Sequence, residues 1–137
     1  MGAMSMRRLS MVALVVGISL VSAGCLRVTV DKAVLGSVAP TSFTGYYFCN
    51  NDKGLTEAAF PVVLGTSSQV LIPRFGATTC VFSEPESFGA RSVVLECVNP
   101  PAGVTCSFDS YVRSLTVVVD PGSTVLDLNI RITNDFS

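Results

Sequence analysis

Apolar and polar residues alternate along most of the chain, a pattern typical of half-buried β-strands. Within residues 26–35, for example, Leu26, Val28, Val30 and Val34 fall on one face, and mainly polar residues fall on the other. The same pattern predicts further strands at residues 43–49, 58–64, 68–72, 78–84, 92–98, 104–108, 113–119 and 124–134.

Turn-forming segments separate these strands. They are polar or rich in Pro and Gly, as at residues 50–54, 100–103 and 120–123. Pro61 lies inside a predicted strand and indicates a sheet edge, because proline cannot donate to a ladder. No helical periodicity is sustained beyond the N-terminal segment. Seven to nine short strands with frequent turns therefore predict an all-β fold, an Ig-like β-sandwich.

The N-terminal segment has the features of an export signal. Arg7 and Arg8 form a basic start, residues 11–21 form a short apolar run, and the small residues 22–24 precede Cys25. The apolar run is shorter than the about 20 residues needed to span a bilayer. We therefore expect a signal helix that is removed on export.

The sequence LVSAGC at residues 20–25 resembles the lipobox of bacterial lipoproteins, although Ser22 stands where leucine is usual. The resemblance implies that Cys25 carries a diacylglyceryl group, with fatty acids such as palmitate, and becomes the mature N-terminus. It divides the chain into a signal peptide, residues 1–24, and a single β-sandwich domain, residues 25–137. The alternative is an ordinary signal peptide cleaved before a cysteine.

Four cysteines remain beyond the lipidation site: Cys49, Cys80, Cys97 and Cys106. An even number of cysteines in an exported domain predicts two disulfides, with three possible pairings. Buried free thiols are the alternative. A zinc site is disfavoured because no pair has CxxC spacing and the sequence contains no histidine.

Composition narrows the function classes. The net charge of −1 gives no indication of nucleic-acid binding. The lack of histidine removes the commonest general base and the commonest metal ligand. No Ser/His/Asp set, phosphate loop or cofactor motif is visible, so we expect a protein that is not an enzyme and needs no cofactor or metal.

Three polar residues fall on apolar faces of the predicted strands: Lys32, Glu84 and Asn134. The apolar face of the last predicted strand comprises Leu126, Leu128, Ile130, Ile132 and then Asn134. A buried Lys, Glu or Asn is costly alone, so each of the three must be satisfied by partners. The alternative is that all three lie at strand ends and turn outward into water.

Four segments together resemble a known family: VTVDKAVLG at 28–36, YFC at 47–49, ATTCVFSE at 77–84 and IRITN at 130–134. They resemble the repeat domains of actinobacterial surface-anchored proteins, which are similar to Cna B-type and pilin domains. The resemblance extends over nearly all of the chain that follows Cys25.

The resemblance implies roles for individual residues. Lys32 and Asn134 match the lysine and asparagine that form an isopeptide bond in Cna B-type domains, and Glu84 matches the buried acid that assists. It also implies a Cys49–Cys80 disulfide. Asp31 favours the charged form of its neighbour Lys32, and Asn129 is a rival amide on the last strand.

Cys97 and Cys106 have no counterpart in that pattern. Their pairing would close a short loop across Pro100 and Pro101, as in many small exported domains.

These observations predict a non-enzymatic cell-envelope lipoprotein with an Ig-like surface module for binding or structural spacing. It would be extracytoplasmic and held to the bacterial plasma membrane by its lipid, with an unknown protein or cell-wall partner and no nucleic acid. The alternative is a prophage-type superinfection exclusion lipoprotein or an inhibitor of an envelope hydrolase.

Overall fold

The computed structural model describes residues 24–37 and 40–137, and most of the predicted signal peptide lies outside these residues. The described part forms nine strands: β1 (Cys25–Leu35), β2 (Ser42–Asn51), β3 (Gly54–Val63), β4 (Ser67–Pro73), β5 (Thr78–Ser83), β6 (Ser92–Cys97), β7 (Val104–Asp109), β8 (Ser114–Val119) and β9 (Asp127–Asp135).

The strands form two sheets. The first sheet has the order β4-β1-β9-β6, and the second has the order β3-β2-β5-β8-β7. β1 and β9 run parallel, and every other strand pair is antiparallel. This arrangement confirms the predicted all-β, Ig-like sandwich.

The core lies between the sheets and is built from alternate residues of the strands, as the alternation predicted. The side chains that are fully buried include Leu26, Val28, Val30, Val62, Ile72, Phe82, Leu95, Leu115, Val117, Leu128, Ile130 and Ile132. A one-residue slip in any of these strands would expose its apolar face, so the pattern fixes the strand register.

Two disulfides hold the sandwich, with the pairing expected from the sequence. Cys49–Cys80 joins β2 to β5 within the second sheet. Cys97–Cys106 joins β6 of the first sheet to β7 of the second, so it fastens one edge of the sandwich.

The observed strand ends lie within two residues of the predicted ones except at two strand starts. β3 begins at Gly54 rather than at residue 58, because residues 54–57 pair with the end of β2. β9 begins at Asp127 rather than at residue 124. The face prediction was wrong for Leu126, which precedes β9 and is 49 % exposed.

The strand directions define two ends of the sandwich. At the Cys25 end, where β1 begins, lie the β2–β3, β4–β5, β6–β7 and β8–β9 connections. At the opposite end, called the far end, lie the β1–β2, β3–β4, β5–β6 and β7–β8 connections.

Candidate functional site

Lys32, Glu84 and Asn134 are all buried in the sandwich. Their residues are 7 %, 3 % and 0 % exposed, and the side chains of Lys32 and Glu84 have no exposed surface. The structure therefore brings together the three polar residues that the strand pattern directed inward, and it does so inside the core rather than at a solvated edge.

Backbone pairing explains how the three side chains meet. Asn134 on β9 lies level with Val34 on the neighbouring parallel strand, two residues beyond Lys32. The long lysine side chain covers this offset of about 7 Å. Glu84 directly follows β5 of the second sheet, on the inward face of Phe82. The cluster thus links both sheets.

The three side chains form a closed ring of hydrogen bonds. Lys32 Nζ donates to Glu84 Oε1 and, at 2.5 Å, to Asn134 Oδ1. Asn134 Nδ2 donates to Glu84 Oε2 at 2.7 Å. Each carboxylate oxygen receives a separate donor, which is the condition for burying such groups without a large penalty.

An aromatic wall closes one side of the cluster. Lys32 Nζ lies 3.8 Å from the centroid of the Phe43 ring, within range of a cation–π contact. Phe88, from the β5–β6 connection, packs edge-to-face on Phe43 with the ring centroids 5.6 Å apart. These rings keep water away from the amine, and the face of the Phe43 ring offsets part of the cost of burying its charge.

Burial lowers the pKa of Lys32 below its usual value, and the hydrogen bond and charge of Glu84 oppose this shift in part. The neutral amine, which is the nucleophilic form, is therefore formed more readily here than on a solvated lysine. The hydrogen bond to Oδ1 also places Nζ beside the side-chain carbonyl of Asn134. The arrangement can thus support amide exchange between these two side chains.

Two residues weighed against the cross-link in the sequence, Asp31 as a charge next to Lys32 and Asn129 as a rival amide, and the side chains of both lie away from the cluster. Asp31 points outward and accepts a hydrogen bond from Ser67 Oγ. Asn129 is exposed on the outer face of β9. Neither residue therefore takes the place of Glu84 or Asn134 beside the lysine.

Cys25, the predicted lipidation site, is exposed and is the free cysteine of the described residues. It lines an open cavity of about 230 Å³ together with Arg27, Leu71, Leu126 and Asp127. Within residues 24–37 and 40–137, no cluster of three or more His, Cys, Asp or Glu residues is placed to hold a metal ion. The same residues include no helix long and apolar enough to cross a membrane.

Arg74 is a buried charged residue that the sequence analysis missed. It is 8 % exposed, and its guanidinium donates to the carbonyl oxygens of Val125 at 2.6 Å and Ser123 at 2.5 Å. These bonds hold the segment before β9. The signal was present, because Arg74 continues the inward alternation of Val70 and Ile72.

The fold is similar to solved structures of bacterial adhesins. Two crystal forms of an adhesin from Mobiluncus mulieris match 81 % of this chain, with TM-scores of 0.57 and 0.55 and sequence identities of 22 % and 27 %. That protein is described as containing intramolecular disulfide, isopeptide and ester bond cross-links. The pilus-presented adhesin Spy0125 (Cpa) matches 80 % of the chain with a TM-score of 0.55 and 13 % identity.

The sandwich is therefore of the adhesin and pilin type. The matched region spans 41 % of the Mobiluncus mulieris chain and 27 % of the Spy0125 chain, so it corresponds to a part of each adhesin. No protein-family model matches the chain, and neither does any curated protein. The likeness shows the fold, which this chain shares with parts of these bacterial adhesins.

Proposed function

We propose that this protein is a non-enzymatic cell-envelope module, lipid-anchored through Cys25, whose sandwich is locked by a Lys32–Asn134 isopeptide bond and serves as a spacer or binding unit at the surface. The observation that carries the proposal is the buried ring of Lys32, Glu84 and Asn134 between the first and last strands. A surface module exposed to proteases and stress gains from an internal cross-link that cannot be reduced.

The cross-link would form by a single intramolecular reaction. Lys32 Nζ, in its neutral form, attacks Cγ of Asn134. One Nζ proton passes by way of the Glu84 carboxyl group to Nδ2, the Cγ–Nδ2 bond breaks, and ammonia leaves. The contacts support each role, because both Nζ and Nδ2 already donate to the two oxygens of Glu84.

The similar adhesins give separate support for the proposed cross-link. The Mobiluncus mulieris adhesin combines disulfide and isopeptide cross-links within one chain. In the present chain, the two disulfides and the amine–acid–amide cluster lie in one sandwich. Disulfides within the second sheet and across one edge leave the β1–β9 pair of the first sheet without a covalent link, and Lys32–Asn134 would supply it.

Intact-mass spectrometry tests the cross-link. We expect the purified protein to be lighter by one ammonia than the mass calculated from residues 25–137, two disulfides and any lipid on Cys25, and a digest to contain the Lys32 and Asn134 peptides joined. The Asn134→Ala variant should show no such loss. Asn129→Ala, which removes an exposed amide of the same strand, should retain it.

A wild-type mass equal to that calculated mass, in protein whose disulfides are formed, would contradict the cross-link. The cluster would then be a satisfied polar group that fixes the register of β1 and β9, and the surface module would depend on its disulfides alone.

The lipid anchor makes a separate prediction. Replacing Cys25 by serine should move the protein from the membrane fraction to the medium, or leave it as an unprocessed precursor, because the thiol that accepts the lipid is gone. Detergent phase partitioning and the mass of the mature N-terminus measure this. Unchanged partitioning into the detergent phase by a Cys25→Ser protein that has lost its signal peptide would contradict lipidation at Cys25.

A further inference from the structure

Large apolar side chains are exposed around the Cys25 end of the sandwich. Leu71 is 66 % exposed, Leu126 is 49 % exposed and Phe75 is 42 % exposed. Leu55, at the start of β3, lies at the same end and is 63 % exposed. We call Leu71, Phe75 and Leu126 the apolar rim. Leu71 lies near the end of β4, and Phe75 and Leu126 lie in the β4–β5 and β8–β9 connections, at the end of the sandwich where the chain enters β1.

Hydrogen bonds hold the backbone that carries this rim. The Arg74 backbone amide donates to the carbonyl of Gly24 at 2.5 Å, and its guanidinium binds the carbonyls of Ser123 and Val125. The buried Arg74 side chain therefore ties the β4–β5 connection to the β8–β9 connection, and this tie does not depend on Gly24, which leaves with the signal peptide. The rim is a fixed surface of the fold.

The Leu71 and Leu126 side chains line the open cavity beside Cys25, with an ion pair across it. Arg27 Nε lies 2.6 Å from Asp127 Oδ1, and both side chains are more than half exposed. At Phe75, Lys53 Nζ lies 5.8 Å from the ring centroid, and Asp52 precedes Lys53 in the sequence. Positive and negative charges beside the rim are therefore equal in number, and this surface does not depend on anionic groups for attraction.

The attachment point has no linker. Cys25 is itself the first residue of β1 and pairs with Pro73 of β4. A lipid on its sulfur would therefore hold the sheet directly against the bilayer. Leu71 is two residues from Pro73, or about 7 Å along the strand. Interfacial apolar groups are buried about 5–10 Å deep, so Leu71 is within this range.

We propose that the Cys25 end docks into the bilayer interface, with the apolar rim of Leu71, Phe75 and Leu126 inserted between lipid headgroups. This inference rests on the proposed lipid anchor and adds an orientation to it. The sandwich stands on the membrane, and its far end, with the β7–β8 connection, faces outward. The partner is the bilayer surface itself, and a zwitterionic surface is sufficient.

The chain contains no tryptophan, so a single tryptophan reports its own position. Protein beginning at Cys25, the form expected after processing, is coupled through this thiol to a maleimide lipid in phosphatidylcholine vesicles with brominated acyl chains. The other four cysteines are disulfide-bonded and do not compete. Separate variants carry Leu71→Trp, Leu126→Trp or, as the matched far-end control, Tyr111→Trp, at a site that is 94 % exposed.

We expect a blue shift and loss of fluorescence for Leu71→Trp and Leu126→Trp, and the spectrum of a water-exposed indole for Tyr111→Trp. Equal spectra at all three sites, quenched or unquenched, would overturn the proposed orientation. Because the lipid is attached chemically, this result is independent of whether cells lipidate Cys25. The Cys25→Ser experiment in cells decides that point separately. Intact disulfides in each variant, checked by non-reducing mass spectrometry, verify the fold.

Discussion

Replacing Glu84 by alanine should abolish the isopeptide bond and strongly destabilise the domain. Without the carboxyl group, no side chain in the cluster can carry the proton from Nζ to Nδ2, and the variant should have the full disulfide-corrected mass of its own sequence, with no ammonia lost. The buried amine of Lys32 would also lose its partner, which costs on the order of 3–5 kcal/mol. Intact mass and urea unfolding measure the two effects.

Two further variants separate chemistry from packing. Glu84→Gln keeps the shape and an acceptor for the lysine but cannot carry a proton, so it should also retain the ammonia while losing less stability than alanine. Glu96→Ala removes an exposed carboxylate from β6 and should still lose the ammonia and keep the wild-type stability. A Glu84→Ala protein that is lighter by one ammonia than its own disulfide-corrected sequence mass would show that Glu84 takes no part in the reaction.

Removing the Cys49–Cys80 disulfide should destabilise the domain more than removing Cys97–Cys106. The first pair is separated by 31 residues and the second by 9. The chain-entropy relation then gives about 3.5 kcal/mol for the first and about 2.5 kcal/mol for the second. Cys49 and Cys80 are also almost fully buried, so their truncation adds a packing loss.

Double alanine variants of each pair, compared by urea unfolding in the same background, test this order. Non-reducing peptide mapping of the parent should recover the two pairs seen in the fold. Equal losses, or a larger loss for Cys97→Ala/Cys106→Ala, would mean that fastening the sheet edges matters more than loop length.

Strand periodicity directed the three polar residues inward but left open whether they turn outward at the strand ends. Lys32 and Asn134 each lie two residues after an inward-facing residue of their strands. Because side chains alternate between the two faces of a strand, both also face inward. The inward direction of Glu84 follows in the same way from Phe82, the inward-facing residue two positions before it. The alternative, that these side chains turn outward at strand ends, fails because β1 and β9 extend beyond Lys32 and Asn134 and keep both residues within the ladder.

The Cys25 end could not be predicted in the same way. Leu126 has the spacing of an inward residue of the last strand, yet it lies outside the ladder, in a segment whose carbonyl groups are held by Arg74. That contact joins residues about fifty positions apart in sequence. Local alternation carries no information about such a partner, so the start of β9 and the exposure of Leu126 depend on tertiary structure.

The parallel pairing of β1 with β9 has a mechanical consequence. The chain enters at the Cys25 end and leaves β9 at the far end, so a pull between the anchor and any segment after β9 acts along both strands in opposite directions. The ladder bonds from Arg27↔Asp127 to Leu35↔Asp135 then bear the load together, in shear, instead of opening one after another. With Lys32 and Asn134 joined, the load would cross from one strand to the other through a covalent bond, and residues 33–133 would stay folded outside the path of the force.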